Sequence, residues 1–144
     1  MNRPDGQAVT GEPLTIQVYR EPTYIIVTAL GEIDIANVGR LRERLFDLAS
    51  SGRPLVVDLN YVNLVDAAGL GALVGASRRA TTHGTALYVV CARRETQRLF
   101  QQAGLNRQIP IARTLDEAVR ALTANQNTPA SGGVYVPGAE DAQG

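Results

Sequence analysis

Any chemistry in this 144-residue chain has to come from a small set of side chains. There is one cysteine, Cys91, and one histidine, His83. Three aspartates stand out by position. Asp34 follows Gly31-Glu32-Ile33, Asp58 interrupts the apolar run Leu55 to Leu59, and Asp66 precedes Ala67-Ala68-Gly69-Leu70. Cys91 has no histidine or acid near it in sequence to activate it, so it reads as a small core residue. One cysteine forms no intramolecular disulfide, and no Cys/His cluster has zinc-ligand spacing. Gly69, Gly71 and Gly75 raise the question of a phosphate cradle. They fall inside a helical pattern, however, and the chain has no lysine to complete a P-loop. Close packing of a helix on a sheet explains the glycines better. No cofactor or metal is implied.

The formal net charge is zero. That argues against a nucleic-acid binder, whose affinity rests on neutralising phosphates with a basic face. Arg78-Arg79 and Arg93-Arg94 accordingly read as solvated faces, and His83 as a surface group at a helix end. No apolar run approaches the roughly 20 residues needed to span a bilayer. The first 13 residues lack the apolar segment of a secretory signal. A cytoplasmic setting is the expectation.

The elements that must position the aspartates follow from periodicity. Leu14 to Tyr19 alternates as a half-buried strand, Glu21-Pro22 is a turn, and Tyr24 to Leu30 is a second strand, making a hairpin. Asp34 is placed to cap a helix from about Ile35 to Ser50, with Val38, Leu41, Leu45 and Leu48 as its apolar stripe. Leu55 to Leu59 is a strand followed by a loop, Asn60 to Leu64. Asp58 is expected at an edge or loop-facing position. Asp66 caps the next helix, whose buried face is read as Leu70, Leu73, Val74 and Ser77. Thr85 to Cys91 is a strand buried on both faces. Arg93 to Ala103 is a third helix, with Thr96, Leu99, Phe100 and Ala103 on one face and Gly104 as its cap. Ile109 to Ala112 is a last strand, and Leu115 to Ala124 a helix opened by the capping box Thr114/Glu117. The order β-β-α-β-α-β-α-β-α gives an α/β domain with a small mixed sheet of about five strands and four helices. It spans 14–125, between a flexible segment 1–13 and a disordered tail 126–144.

Several of these stretches together resemble the STAS domain, in its anti-sigma factor antagonist branch. They are Gly31-Glu32-Ile33-Asp34, Val56-Val57-Asp58-Leu59, Asp66-Ala67-Ala68-Gly69-Leu70-Gly71-Ala72-Leu73 and, further on, Gly104-Leu105, Ile109-Pro110-Ile111 and Leu115-Asp116-Glu117-Ala118. The resemblance implies the STAS fold and a non-enzymatic binding module. Its partner would be an anti-sigma factor of the kinase-like ATPase type, displaced from a sigma factor. The family pattern at the central loop is Asp-Ser-Ser-Gly-Leu or Asp-Ser-Thr-Gly-Leu, and its first hydroxyl is the phosphate acceptor. Asp66, Gly69 and Leu70 match that pattern, but Ala67 stands at the acceptor position and Ala68 after it. The usual switch is therefore missing. The implied contact surface is the start of the second helix, the loop before it and the Asp34 loop: Asp34, Asn60, Tyr61, Asp66, Ala67, Ala68, Gly69 and Leu70. Asp34 and Asp66 could cap helices, contact a partner, or both. Leu70 suits either the core or an outward anchor, and Gly69 could leave room for a partner. Two alternatives stand beside this reading: a subunit or scaffold of a transporter or stress-signalling complex, and a nucleotide-binding protein.

Overall fold

The computed structural model describes residues 14–126. The segment 1–13, expected to be flexible, and residues 127–144 of the tail expected to be disordered from 126 lie outside the described residues. Gln126 itself is the last residue of a helix that runs past the expected end at Ala124. The chain runs β1 (Leu14–Arg20), β2 (Ile25–Ile33), α1 (Val38–Ala49), β3 (Leu55–Val65), α2 (Ala67–Thr82), β4 (Leu87–Val90), α3 (Arg94–Gln102), a short 3-10 turn (Leu105–Arg107), β5 (Ile111–Ala112) and α4 (Leu115–Gln126). The expected order of strands and helices holds; only the 3-10 turn was not foreseen. The five strands lie in the sheet in chain order. β1 pairs antiparallel to β2, and the rest of the sheet is parallel.

The two faces of the sheet are covered unequally. One side carries the main core. There the alternate residues Ile25, Val27 and Ala29 of β2 and Leu55, Val57 and Leu59 of β3 meet the buried stripe of α1, the inner face of α2, and Phe100 of α3. The α1 stripe Val38, Leu41, Leu45 and Leu48 is buried as the spacing predicts. On the other side, α4 buries Ala118 and Leu122 against Val56, Tyr88 and Val90. Asn125 Nδ2 donates to the Tyr88 hydroxyl oxygen at 2.8 Å, fixing the end of α4.

The inner face of α2 differs from the expected one. Its buried residues are Gly69, Ala72, Leu73, Ala76 and Ala80, while Leu70, Val74 and Ser77 are half-buried. The spacing argument followed the larger apolar residues, but small residues lie at the closest approach. A Cβ on Gly75 would sit 2.7 Å from the Phe46 ring of α1, and one on Gly69 would sit 2.8 Å from Ile33 and 2.9 Å from Val65. Gly71 has nothing within 4 Å of such a Cβ, so packing explains two of the three glycines and not the third.

β2 and β3 both run further than expected. β2 extends to Ile33 rather than Leu30, and β3 continues through the predicted loop to Val65. The extension contains two bulges. Thr28 pairs with Asp58 and Leu30 with Tyr61, then Gly31 with Val62 and Glu32 with Leu64, so β3 holds one extra residue at each step. Gly31 takes φ 113° at this irregularity, a conformation L side chains rarely adopt. Asp58 is not at an edge. It lies in β3, the middle strand of the sheet, and is buried.

The remaining elements are shorter or shifted. β5 is confined to Ile111–Ala112 and β4 to Leu87–Val90. α3 buries only Thr96 and Phe100; Leu99 and Ala103 of the expected stripe are exposed. Gly104 takes the left-handed conformation after α3, as its position predicts.

Candidate functional site

The extended ends of β2 and β3 form one rim of the domain. From it the chain enters α1 after β2 and α2 after β3, both helices lying on the same face of the sheet. Asp66 N–H donates to the Ile33 carbonyl at 3.3 Å, tying the two exits together. Asp66 is the N-cap of α2, and its Oδ1 accepts from the Gly69 N–H at 3.1 Å. The cap is therefore realised as the sequence predicts.

Asp34 behaves differently. It does not cap a helix beginning at Ile35, because α1 begins at Val38 with Asn37 as the N-cap residue. The Asp34 carboxylate accepts from the N–H groups of Ala36 (2.9 Å) and Asn37 (3.2 Å), closing a turn before the helix. Asn37 answers in kind. Its Oδ1 accepts from the Asp34 N–H at 3.0 Å and its Nδ2 donates to the Glu32 carbonyl at 2.9 Å. This buried asparagine locks the loop and was not singled out by the sequence reading. Each aspartate thus has a carboxylate oxygen engaged by backbone N–H groups at the rim.

Between them the rim is apolar and open. Ile35 is 81% exposed and Leu64 53% exposed, and Ala67 is exposed at the first position of α2. Ile35 stands two residues past Ile33 and Leu64 one before Val65, the residue paired with Ile33, so both exposed aliphatic side chains lie at the paired strand ends. Neither Ile35 nor Leu64 is among the residues that the family resemblance implies for the contact surface. A signal was present: Leu64 lies one residue off the Val62/Val65 spacing that faces the core, and Ile35 sits inside the polar turn Asp34–Asn37.

The other anticipated residues divide. Ala68 is half-buried beside Ala67. Gly69 is buried against Ile33 and Val65, so it makes room for the sheet. Leu70 is half-buried and packs against the main core, which places it with the core rather than as an outward anchor. Asn60 is used within the domain. Its Oδ1 accepts from the Ala92 N–H at 2.7 Å and its Nδ2 donates to the Arg113 carbonyl at 3.2 Å, stitching β3 to the segments after β4 and β5. Tyr61 is 60% exposed but stands on the α4 side of the sheet, where it borders a groove with Asp58. Burial raises the Asp58 carboxyl above its ordinary value of 3.8, opposed by the hydrogen bond from the Asn60 N–H. Among the described residues no group of three or more His, Cys, Asp or Glu could hold a metal ion, and no helix is long and apolar enough to cross a membrane.

The STAS domain model matches residues 15–118 of the chain. The chain belongs to the STAS domain family. An anti-sigma-B factor antagonist of Bacillus subtilis (strain 168) is 32% identical to it over 99 residues, covering 69% of this chain and 91% of that protein. An anti-sigma factor antagonist from Mycobacterium paratuberculosis has the same fold, with a TM-score of 0.72 at 24% identity over 81% of this chain and 99% of the other. The anti-sigma factor antagonist SpoIIAA in its unphosphorylated form gives a TM-score of 0.65 at 18% identity, covering 76% and 97%. The rim just described therefore belongs to a STAS domain with a five-stranded mixed sheet and four helices.

Proposed function

We propose that this STAS domain is an antagonist-like binding module that docks by its rim on an anti-sigma factor of the kinase-like ATPase type, freeing a sigma factor. The observation that carries the reading is the rim itself. Ile35, Leu64 and Ala67 offer exposed apolar surface, and Asp34 and Asp66 frame it with carboxylates already held by backbone N–H groups. Such surface gains from being removed from water, and fixed charges beside it set the orientation of a partner. The relatives named anti-sigma factor antagonists support the same reading. The module is a binder and not an enzyme.

In this reading the surface has no phosphorylation switch at residue 67. A phosphate there would add about −1.5 to −2 charges beside Asp66, repelling a partner and resisting desolvation. Alanine leaves the position small and uncharged, so the module stays in its binding-competent form.

The test compares wild type with Ala67→Asp and Ala67→Ser against the purified ATPase-type anti-sigma factor of the same cell. Aspartate at the first turn of a helix suits the helix dipole, so the variant folds. Ala67→Asp is expected to weaken binding at least about tenfold, and Ala67→Ser to bind like wild type until phosphorylated. Equal binding by wild type and Ala67→Asp would refute the rim. So would capture of the same transporter or scaffold subunits, and no anti-sigma factor, by both forms.

A further inference from the structure

The α4 side of the sheet is only half covered. α4 packs on Val56, Tyr88 and Val90, and no other helix among the described residues lies over the neighbouring face of β1, β2 and the middle of β3. A groove of about 360 Å³ opens there, within the size range of small-molecule sites. Its floor is a polar row made by the strand register, in which Gln17 pairs with Thr28 and Thr28 with Asp58. Tyr19 and Tyr61 stand at its sides, Ile26 and Leu30 supply aliphatic surface, and Leu115 at the start of α4 closes one wall.

The groove is lined by the carboxylates Asp58 and Glu21 and by neither Lys nor Arg. Glu21 is engaged elsewhere and the Arg53 guanidinium bonds its carbonyl at 3.0 Å, so Asp58 is the charge the groove offers. Asp58 is only 6% exposed. One of its oxygens, Oδ1, accepts from the Asn60 N–H at 3.0 Å, which holds the first bulge of β3. No other hydrogen bond or ion pair reaches this carboxylate from the described residues. A desolvated carboxylate with no cation near it is costly, and the bulge needs only one of its oxygens. The fold leaves the rest of that charge for something outside.

We propose that this groove binds a small organic ammonium ion with an apolar or aromatic body. The ammonium would sit on Asp58, with the Thr28 hydroxyl beside it. The body would lie between Tyr19 and Tyr61, whose ring faces favour cations and apolar groups alike. This site is separate from the rim, since neither Ile35, Leu64 nor Ala67 lines it. It also gives Asp58 and Tyr61 a role that docking by the rim does not require.

The probe is phenethylammonium, compared with two shape analogues of other charge, 2-phenylethanol and phenylacetate. Amide shifts of the ¹⁵N-labelled full chain report binding. Saturable shifts are expected for Thr28, Asp58 and Tyr61 with the ammonium, and none for Ile35 or Ala67. The alcohol and the carboxylate are expected to bind at least about tenfold more weakly. Asp58→Asn is expected to lose the charge preference, with a loss of at least about tenfold for the ammonium. Tyr19→Lys leaves Asp58 in place, puts a cation at the mouth and is expected to abolish binding, so the idea stays testable if Asp58→Asn fails to fold. Equal affinity for the three probes overturns the proposal. So does an absence of saturable shifts at millimolar ammonium, which would leave the groove to a basic side chain of a partner protein or to nothing. Loss of anti-sigma factor binding by Ala67→Asp would not bear on any of these results.

Discussion

The two faces of this sheet are built from the same strands and reach opposite ends. On the α1/α2 side, Ile25, Val27, Leu55, Val57 and Leu73 are removed from water and meet small residues of α2 that allow close approach. On the α4 side, Val56, Tyr88 and Val90 are buried under α4, but the stretch over β1, β2 and the middle of β3 is polar or half-exposed: Gln17, Ile26, Thr28, Asp58. A strand sends successive side chains to opposite faces, so one stretch of sequence serves both. The contrast teaches that stability and recognition are divided by side of the sheet. One face is wholly core, and the other is core only under α4, its remaining polar stretch being the surface proposed to bind.

The largest expected effect tests the stabilising face. Leu73→Ala removes a fully buried side chain between α2 and the sheet. It should cost about 2–5 kcal/mol of unfolding free energy in a urea titration. Leu30→Ala, on the groove side and half-exposed, should cost well under half as much. Equal losses would erase the distinction between the faces.

Close approach is tested next. Gly69→Ala places a Cβ 2.8 Å from Ile33 and 2.9 Å from Val65. Both are buried where β2 and β3 end, so the strands or the helix must shift, at a cost of about 1–3 kcal/mol. Gly71→Ala meets open space and replaces a poor helix former, so it should stabilise by up to about 1 kcal/mol. Thermal or chemical unfolding of the two variants should move in opposite directions. Movement of both the same way would mean that α2 is not seated on the sheet by Gly69.

A smaller effect concerns the rim. Asp66→Ala removes the acceptor for the Gly69 N–H and should destabilise the domain by ~1 kcal/mol. Asp66→Asn keeps the acceptor and should recover most of that stability. A partner-binding assay on Asp66→Asn then separates the capping role from any charge contribution to docking.

Legibility in the sequence followed the range of the interaction involved. The Asp66 cap and the Thr114/Glu117 capping box are made within four residues. The Asp66 cap is present, and so is the Thr114 half of the box, with Glu117 N–H donating to Thr114 Oγ1 at 3.1 Å; the Glu117 carboxylate reaches one residue further back and accepts from Arg113 N–H at 3.0 Å. The order of strands and helices was legible for the same reason: period and turn residues are local. The start of α1 was misplaced because it depends on Asn37 reaching back to the Glu32 carbonyl across the turn. β3 was ended too early because its last residues pair with an equally extended β2 through two bulges, a pairing that no single-strand pattern reveals. The structural role of Asn60 was not legible, because the groups it bonds, Ala92 and Arg113, are far along the chain. The groove could not be read at all, since it depends on α4 settling over β3 and β4 and, among the described residues, covering β2 only around its start, at Tyr24 and Ile26.

Asp58 gives the smallest and most selective test of the two-face contrast. Its folded carboxyl is raised by burial above 3.8, while in the unfolded chain it titrates near the ordinary value. Between those two values the native state holds a proton that the unfolded state has released. Unfolding free energy attributable to this residue therefore falls as pH rises through the window, and the penalty is complete above the folded pKa. Asp58→Asn keeps an oxygen for the Asn60 N–H but does not titrate. The melting temperature of the variant should pull ahead of wild type as pH rises from about 4 and then run parallel to it at higher pH. Saturating phenethylammonium should narrow that gap by stabilising wild type alone, because a ligand bound to the native state raises its stability by mass action. Curves that stay parallel from acid to neutral pH would mean that Asp58 is as well solvated as a surface acid. The groove would then be an ordinary stretch of exposed sheet, and the contrast between the two faces would reduce to one of packing.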